Sequence, residues 1–359
     1  MSRLRKRGEE IRHFILGSIE NKSKDVIALT IEKFKISRQA VYKHIKHLEE
    51  QGTLVHLKKG VYELHPQETW SLSIALGVES REDVVWRTIV REKIGLLPDN
   101  AIAIWQYGFT EMFNNVIDHS ESKNVQITIQ KTAYSTEMYI EDTGIGIFNK
   151  IKQGMNLLDE RHAVLELTKG KLTTDPDNHT GEGIFFTSRM FDEFSILSGE
   201  VFLSHSYGKD EDWILQSQKN HLGTLICMKL RNNTSRETKQ IFDKFTSLEG
   251  DFGFTKTVVP VRLAQYGNEK LISRSQAKRL LERIDRFKTV LFDFREVDSI
   301  GQAFADEVFR VFKKQHPYMD IIPINANEPV TQMINRVESV EENTTFETHT
   351  ASDVNYTKN

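Results

Sequence analysis

Apolar positions along the chain recur first at helical and then at alternating spacing, and each change of period marks an element. IRHFILGSIE and DVIALTIEKF each carry one apolar stripe, the pattern of short amphipathic helices. KIS turns into RQAVYKHIKHLEEQG, a third helix closed by Gly52 in the C-cap position. TLVHLKKGVYEL then alternates around KKG, as a β-hairpin does. Residues 1–65 thus read helix, helix, helix, hairpin. Residues 66–98 read as a helical connector, REDVVWRTIVREKIG, stopped by Pro98.

GFTEMFNNVIDHS has helical spacing with Phe109, Met112, Phe113, Val116 and Ile117 on a buried face. The other face stacks Glu111, Asn115 and Asp118. NVQITIQ and TEMYIED alternate as half-buried strands, and HLGTLICMKL is another. Between them, residues of about 148–180 are polar with weak periodicity and predict a mobile lid. From 250 to 337, strands TKTVVPVRLA, TVLFDFREV and DIIPINA alternate with helices SQAKRLLERI, FADEVFRVF and EPVTQMINRV, which predicts a small α/β unit. Residues 338–359 are polar and predict a disordered tail.

With 359 residues, the chain has room for two or three domains, so the fold class is multidomain α+β. Hydrophobic content of 38% and charged content of 28% fit a globular protein, and no apolar run is long enough to span a bilayer. A single cysteine, Cys227, excludes an internal disulfide framework and a cysteine-based zinc site, and a cytoplasmic protein is expected. Net charge is −3, unevenly spread: residues 1–65 hold 14 Lys/Arg against 8 Asp/Glu. A basic head on an acidic body points to a polyanion at the N-terminus.

Candidate chemistry gathers in the middle. Asp142 ends a strand, where a carboxylate can accept a hydrogen bond from the exocyclic amine of a base, and Gly144 and Gly146 let backbone approach closely. Gly181 and Gly183 stand at the mouth of a helix, whose free N–H groups favour phosphate. Glu111 is a carboxylate able to handle a water, and Asn115 an amide oxygen for a hard cation such as Mg²⁺. There is no third glycine for a dinucleotide fingerprint and no Gly-Lys-Ser/Thr for a P-loop. In this order, with Gly223-Thr224 opening a last strand, the pieces over 99–235 resemble the GHKL ATPase superfamily of gyrases, heat-shock chaperones, histidine kinases and mismatch-repair proteins. The resemblance implies a Bergerat-type α/β sandwich that binds ATP and Mg. Glu111 would be the water-activating acid and Asn115 the magnesium ligand. Asp142 would read adenine beside Gly144 and Gly146, Gly181 and Gly183 would cradle phosphate, and Thr224 would lie near adenine. Lys171, with Lys169, would belong to the ATP lid. No histidine-bearing dimerisation helix precedes the fold, which argues against an ordinary sensor histidine kinase.

The head resembles winged helix-turn-helix regulators. Ser37, Arg38, Gln39, Tyr42, Lys43 and Lys46 would face outward from its recognition helix, with Lys58 and Lys59 at the wing tip, to bind double-stranded DNA. The C-terminal unit resembles the STAS-like fold of anti-sigma-factor antagonists through LFDFREVDSIGQAFADEVF. In that family the serine of an Asp-Ser-x-Gly turn can accept phosphate, which makes Ser299 a candidate phosphoacceptor; helix capping by Ser299 is the competing explanation. The expectation is a nucleotide-switched DNA-binding regulator, a homodimer or larger homo-oligomer, with slow hydrolysis and a possible protein partner at the STAS-like unit. The alternatives are a serine protein kinase acting on Ser299 or a partner, and an ATP-switched interaction protein of a phage-defence type without DNA binding.

Overall fold

A computed structural model describes residues 3–58, 60–77, 80–172, 181–246, 253–265 and 269–350 (backbone only for 3–4, 209–219 and 340–350). The head contains α1 (Arg3–Glu20), α2 (Val26–Phe34) and α3 (Arg38–Glu50), then the antiparallel pair β1 (Leu54–Lys58) and β2 (Val61–Leu64). Its starts are capped as the sequence requires: Asp25 accepts the Ala28 N–H, and Ser37 accepts the Ala40 N–H at 3.2 Å. Ile11, Ile15, Val41, Ile45, Leu48 and Leu54 fill its core together with Tyr134, which is supplied by the next unit. Glu20 at the end of α1 secures that contact, accepting from the Ser135 hydroxyl at 2.6 Å and pairing with Lys229 Nζ at 2.6 Å.

Residues 68–75 depart from the expected connector. ETWSLSIA forms β3 (Glu68–Ala75), paired antiparallel along its length with β4 (Asn124–Lys131). Trp70, Leu72 and Ile74 alternate as a strand should, but at a sheet edge their faces are only half-buried, which hid the signal. A helix follows in three pieces: α4 (Glu82–Val85), a π segment (Trp86–Val90) and α5 (Arg91–Ile94). Then come α6 (Asp99–His119), β4, β5 (Ser135–Asp142), α7 (Ile147–Gly154), α8 (Glu160–Lys169) and α9 (Gly183–Met190). The long hairpin β6 (Glu193–Ser206) and β7 (Lys209–Arg231) completes an antiparallel sheet of order β3-β4-β5-β7-β6, and α10 (Thr238–Asp243) leads out. Trp105, Phe109, Met112 and Phe113 of α6 are fully buried against Ile127, Met138, Ile140 and Met228 of the sheet. Each such side chain contributes about 1.5–3 kcal/mol of burial, so the polar face of α6 is held in a fixed direction.

The expected mobile lid is largely helix. Residues 147–154 and 160–169 are α7 and α8, and all of 162–169 is buried. Apolar residues on both flanks of α8 blurred its periodicity, because it packs between two units rather than on one. Residues 173–180 of the expected lid lie outside the described residues.

The C-terminal unit is a parallel three-stranded sheet, β8 (Lys256–Pro260), β9 (Thr289–Asp293) and β10 (Asp320–Ile324), in the order β10-β9-β8. Its helices are α11 (Arg274–Leu281), α12 (Gln302–Ala305), a π segment (Asp306–Phe312), α13 (Lys313–Gln315) and α14 (Glu328–Thr350). The helix α14 continues through the segment expected to be disordered as far as Thr350, while Val337 is its last buried apolar side chain among the described ones. Residues 351–359 of that tail lie outside the described residues. The core of this unit is continuous with that of the central sheet: Phe254 meets Phe185 and Phe186 of α9 at ring distances of 4.5 and 5.0 Å. Among the described residues no helix is long and apolar enough to cross a membrane.

Between α8 and α11 lies His162, 6% exposed, with neither ring nitrogen hydrogen-bonded among the described residues. Burial lowers its pKa from the ordinary 6.5, against the opposing pull of Glu282. The unfolded chain therefore takes up a proton that the folded interface refuses, so stability present above about pH 6.5 is lost as pH falls below it. His13 and His44, also lowered by burial, act in the same direction. The urea midpoint should fall between about pH 7.5 and about pH 5.5, and by less in His162→Gln. An identical fall in the variant would remove His162 from the account.

Candidate functional site

Helix α6, the end of β5, α7 and the start of α9 enclose a cavity of about 270 Å³. Glu111, Asn114, Asn115 and His119 line it from α6, Asp142 from β5, Ile147, Lys150 and Ile151 from α7, Gly181 and Gly183 from the turn into α9, and Thr224 from β7. Glu111, Asn115 and His119 are spaced one helical turn apart, so a single buried apolar face opposite them aims all three into the same space. Asp118, expected on this face, is exposed and absent from the lining.

Asp142 is 2% exposed and accepts the Gly144 N–H at 2.8 Å. Burial raises its pKa, with Gly144 and Thr224 hydrogen bonds and His221 pulling it back. The Thr224 hydroxyl accepts the Ile147 N–H at 3.0 Å, which ties β7 to the start of α7. Gly146 forms the N-cap of α7, so Gly144 and Gly146 shape the wall through backbone without lining the cavity. The result is a carboxylate with a fixed orientation at the cavity floor.

The Glu111 carboxylate lies against Gly183 so closely that a Cβ there would overlap it. A side chain at 183 would push the carboxylate aside, so the glycine lets an acid rest at the N-terminal end of α9, where the helix dipole favours negative charge. Tyr107, one turn before Glu111, has its phenol pKa raised by burial and then by the Glu111 and Glu182 carboxylates, and stays a neutral hydroxyl. Glu182 itself is raised by burial, with Lys171 opposing.

Lys171 departs from its expected place. It is absent from the lining; its Nζ donates to the Arg286 carbonyl at 3.0 Å and lies 4.9 Å over the Phe287 ring. The left-handed backbone at Lys171 (φ 53°) turns the side chain toward the C-terminal unit. Conversely, Asn114, His119 and Lys150 line the cavity without having been singled out. His119 follows Asn115 by four residues, a spacing visible in the sequence; Lys150, whose Nζ donates to Glu121 at 2.8 Å, is brought in only by the tertiary fold.

In the head, Arg38, Gln39, Tyr42, Lys43 and Lys46 are all exposed along α3, and Lys58 is exposed at the end of β1. Arg38 lies 5.8 Å over the Tyr42 ring. Lys59 lies outside the described residues. Ser299 is half-buried, and it does not cap the following helix: the N-cap is Gly301, with no side-chain cap bond. The turn is held instead by Asn327, which donates to the Val297 and Asp298 carbonyls at 3.1 and 3.0 Å.

Residues 84–201 match the family model of the histidine kinase-like ATPase domain. Residues 276–331 match that of a STAS-like domain of unknown function (DUF4325). No curated protein matches the chain. A histidine kinase-like ATPase domain supports ATP binding, and domains of this kind generally bind ATP with magnesium.

Proposed function

We propose that the chain is an ATP-binding, nucleotide-switched DNA-binding regulator with slow Mg-dependent hydrolysis. The observation that carries the ATP reading is the convergence of Glu111, Asn115, Asp142, Thr224 and the Gly181–Gly183 turn on one cavity. The donor set fits: a buried carboxylate of fixed orientation for an exocyclic amine, an amide oxygen for a hard cation, and a helix N-terminus for phosphate. In this reading Asp142 would accept from adenine beside Thr224, Asn115 would hold magnesium, and Glu111 would orient a water and take its proton. Bound Mg·ATP would supply the electrophilic phosphorus. Turnover would be slow, because among the described residues no arginine lines the cavity to meet developing charge.

The exposed basic face of α3 supports the DNA reading, with Lys43, Lys46 and Lys58 for phosphates and Arg38 with Gln39 for base edges. The head would act as a winged helix-turn-helix, carried in pairs by a homodimer whose pairing changes with nucleotide. Titration calorimetry with ATP, with and without Mg²⁺, tests the site: binding should require magnesium for full strength, and a silent titration would remove the reading.

One observation favours a second reading. The Ser299 hydroxyl makes no hydrogen bond among the described residues and caps no helix, so it is free to accept phosphate from a serine kinase of the anti-sigma-factor type, this chain included.

A further inference from the structure

Lys169 is 1% exposed, and its ammonium group has three donors. All three are used: Glu166 Oε1 at 2.5 Å on its own helix, and the Arg279 and Glu282 carbonyls at 3.1 and 2.8 Å at the end of α11. A cation at a helix C-terminus completes carbonyls that have no partner inside the helix. The Lys169 carbonyl in turn accepts the Thr257 hydroxyl of β8 at 2.6 Å. Two residues later Lys171 and Arg286 exchange side chain-to-carbonyl bonds at 3.0 and 2.9 Å. The last turn of α8 is therefore bolted to the STAS-like unit from both sides.

The next residues belong to the nucleotide cavity. Gly170 adopts φ +81°, and a Cβ there would meet the Phe254 ring at 2.6 Å and Phe185 at 3.0 Å, so the chain turns tightly off Lys169 with no room for adjustment. Leu172 lines the cavity, and its N–H donates to the Gly181 carbonyl at 3.0 Å. On the far side Phe185 of α9 packs against Phe254 with the rings tilted by 42°, so both flanks of the glycine turn rest on the same unit.

We infer that Lys169 is a positioning residue through which the STAS-like unit and the nucleotide cavity sense each other's state. The inference rests on the cavity being the nucleotide site. Any movement of the Gly181–Gly183 turn that accommodates phosphate displaces Leu172 and Gly170, and these displace an ammonium group whose every donor is committed. By linkage, a partner that alters the end of α11 changes nucleotide affinity by the factor with which nucleotide changes the affinity for that partner. The neighbouring groups His162, Glu166 and Glu282 lie within 4.8 Å of one another, but they do not make a cation site. Glu166 already faces Lys169 at 2.5 Å and Arg283 at 3.7 Å, and a further cation there would meet two positive charges in a buried place.

Hydrogen exchange on the full chain, with and without Mg·ATP, tests this. In the wild type, nucleotide should slow amide exchange over 279–287 by about fivefold or more. Lys169→Met keeps the stem and removes the ammonium; it should still bind nucleotide by calorimetry, while the response over 279–287 collapses to near unity. A role confined to stability would raise exchange with and without nucleotide alike and leave the ratio intact, and that result would overturn the inference. Should Lys169→Met fail to fold, Thr257→Val, which removes only the hydroxyl donated to the Lys169 carbonyl, should reduce the ratio. A wild type that binds Mg·ATP without any response over 279–287 overturns the coupling and leaves the site standing. A wild type that does not bind Mg·ATP removes both.

Discussion

Asp142→Asn should weaken Mg·ATP binding by roughly 10- to 100-fold with little effect on folding. The carboxylate accepts from the Gly144 N–H and from Thr224, and in the bound state would accept an amine as well. An amide replaces one acceptor oxygen by a donor, so either a buried donor of the protein or the ligand's amine faces another donor. That mispairing costs about 1–3 kcal/mol. Folding is spared because burial already disfavours the charged form of Asp142, and a neutral amide of the same shape relieves that cost. Asn115→Ala should act differently: affinity without magnesium stays near the wild-type value, while the gain from adding magnesium disappears. Calorimetric titrations of both variants separate the two roles. Equal affinities of wild type and Asp142→Asn would contradict the assignment.

Glu111→Ala should retain Mg·ATP binding and lower phosphate release by about 100-fold or more. Glu111 stands one turn from Asn115 on α6 and against Gly183 at the mouth of α9, so a water between the cation and the turn is within its reach. Removing the carboxylate removes the base and leaves the adenine and cation contacts in place. Coupled phosphate-release assays measure the loss. If the chemistry were instead phosphoryl transfer, label from γ-labelled ATP would appear on protein and vanish in Ser299→Ala. Undiminished phosphate release from Glu111→Ala would remove Glu111 from the chemistry.

The site was legible where one element carries the information. The stripe of α6 showed Glu111 and Asn115 because a fully buried opposite face leaves a helix no rotational choice. The ends of β5 and the glycine turn into α9 were legible because strand alternation and glycine spacing are local. Edge position concealed β3: its inward residues are half-exposed, so alternation there carried little contrast. Lys169 and Lys171 lie away from the cavity lining for a reason the sequence does not show. Lysines in a polar stretch resemble a solvated lid, and only the partner surface of α11 and β8 shows that one is buried with all its donors committed. Capping, the competing explanation of the Ser299 turn, depends on which residue directly precedes the helix, and that residue is Gly301. Lys150 reaches the cavity across a tertiary contact that leaves no trace in spacing.

The head shares its core with Tyr134 and its α1 end with Lys229, so it is joined to the sheet whose other end holds Asp142 and Thr224. Fluorescence anisotropy of a labelled DNA duplex, titrated with the full chain with and without Mg·ATP, tests the nucleotide switch most directly. The account predicts affinity that falls steeply with salt, as Lys43, Lys46 and Lys58 release counterions, and that shifts by about fivefold or more with nucleotide in the wild type but not in Asp142→Asn. Salt-dependent DNA binding that is identical with and without Mg·ATP, at concentrations where the nucleotide is bound, would contradict it.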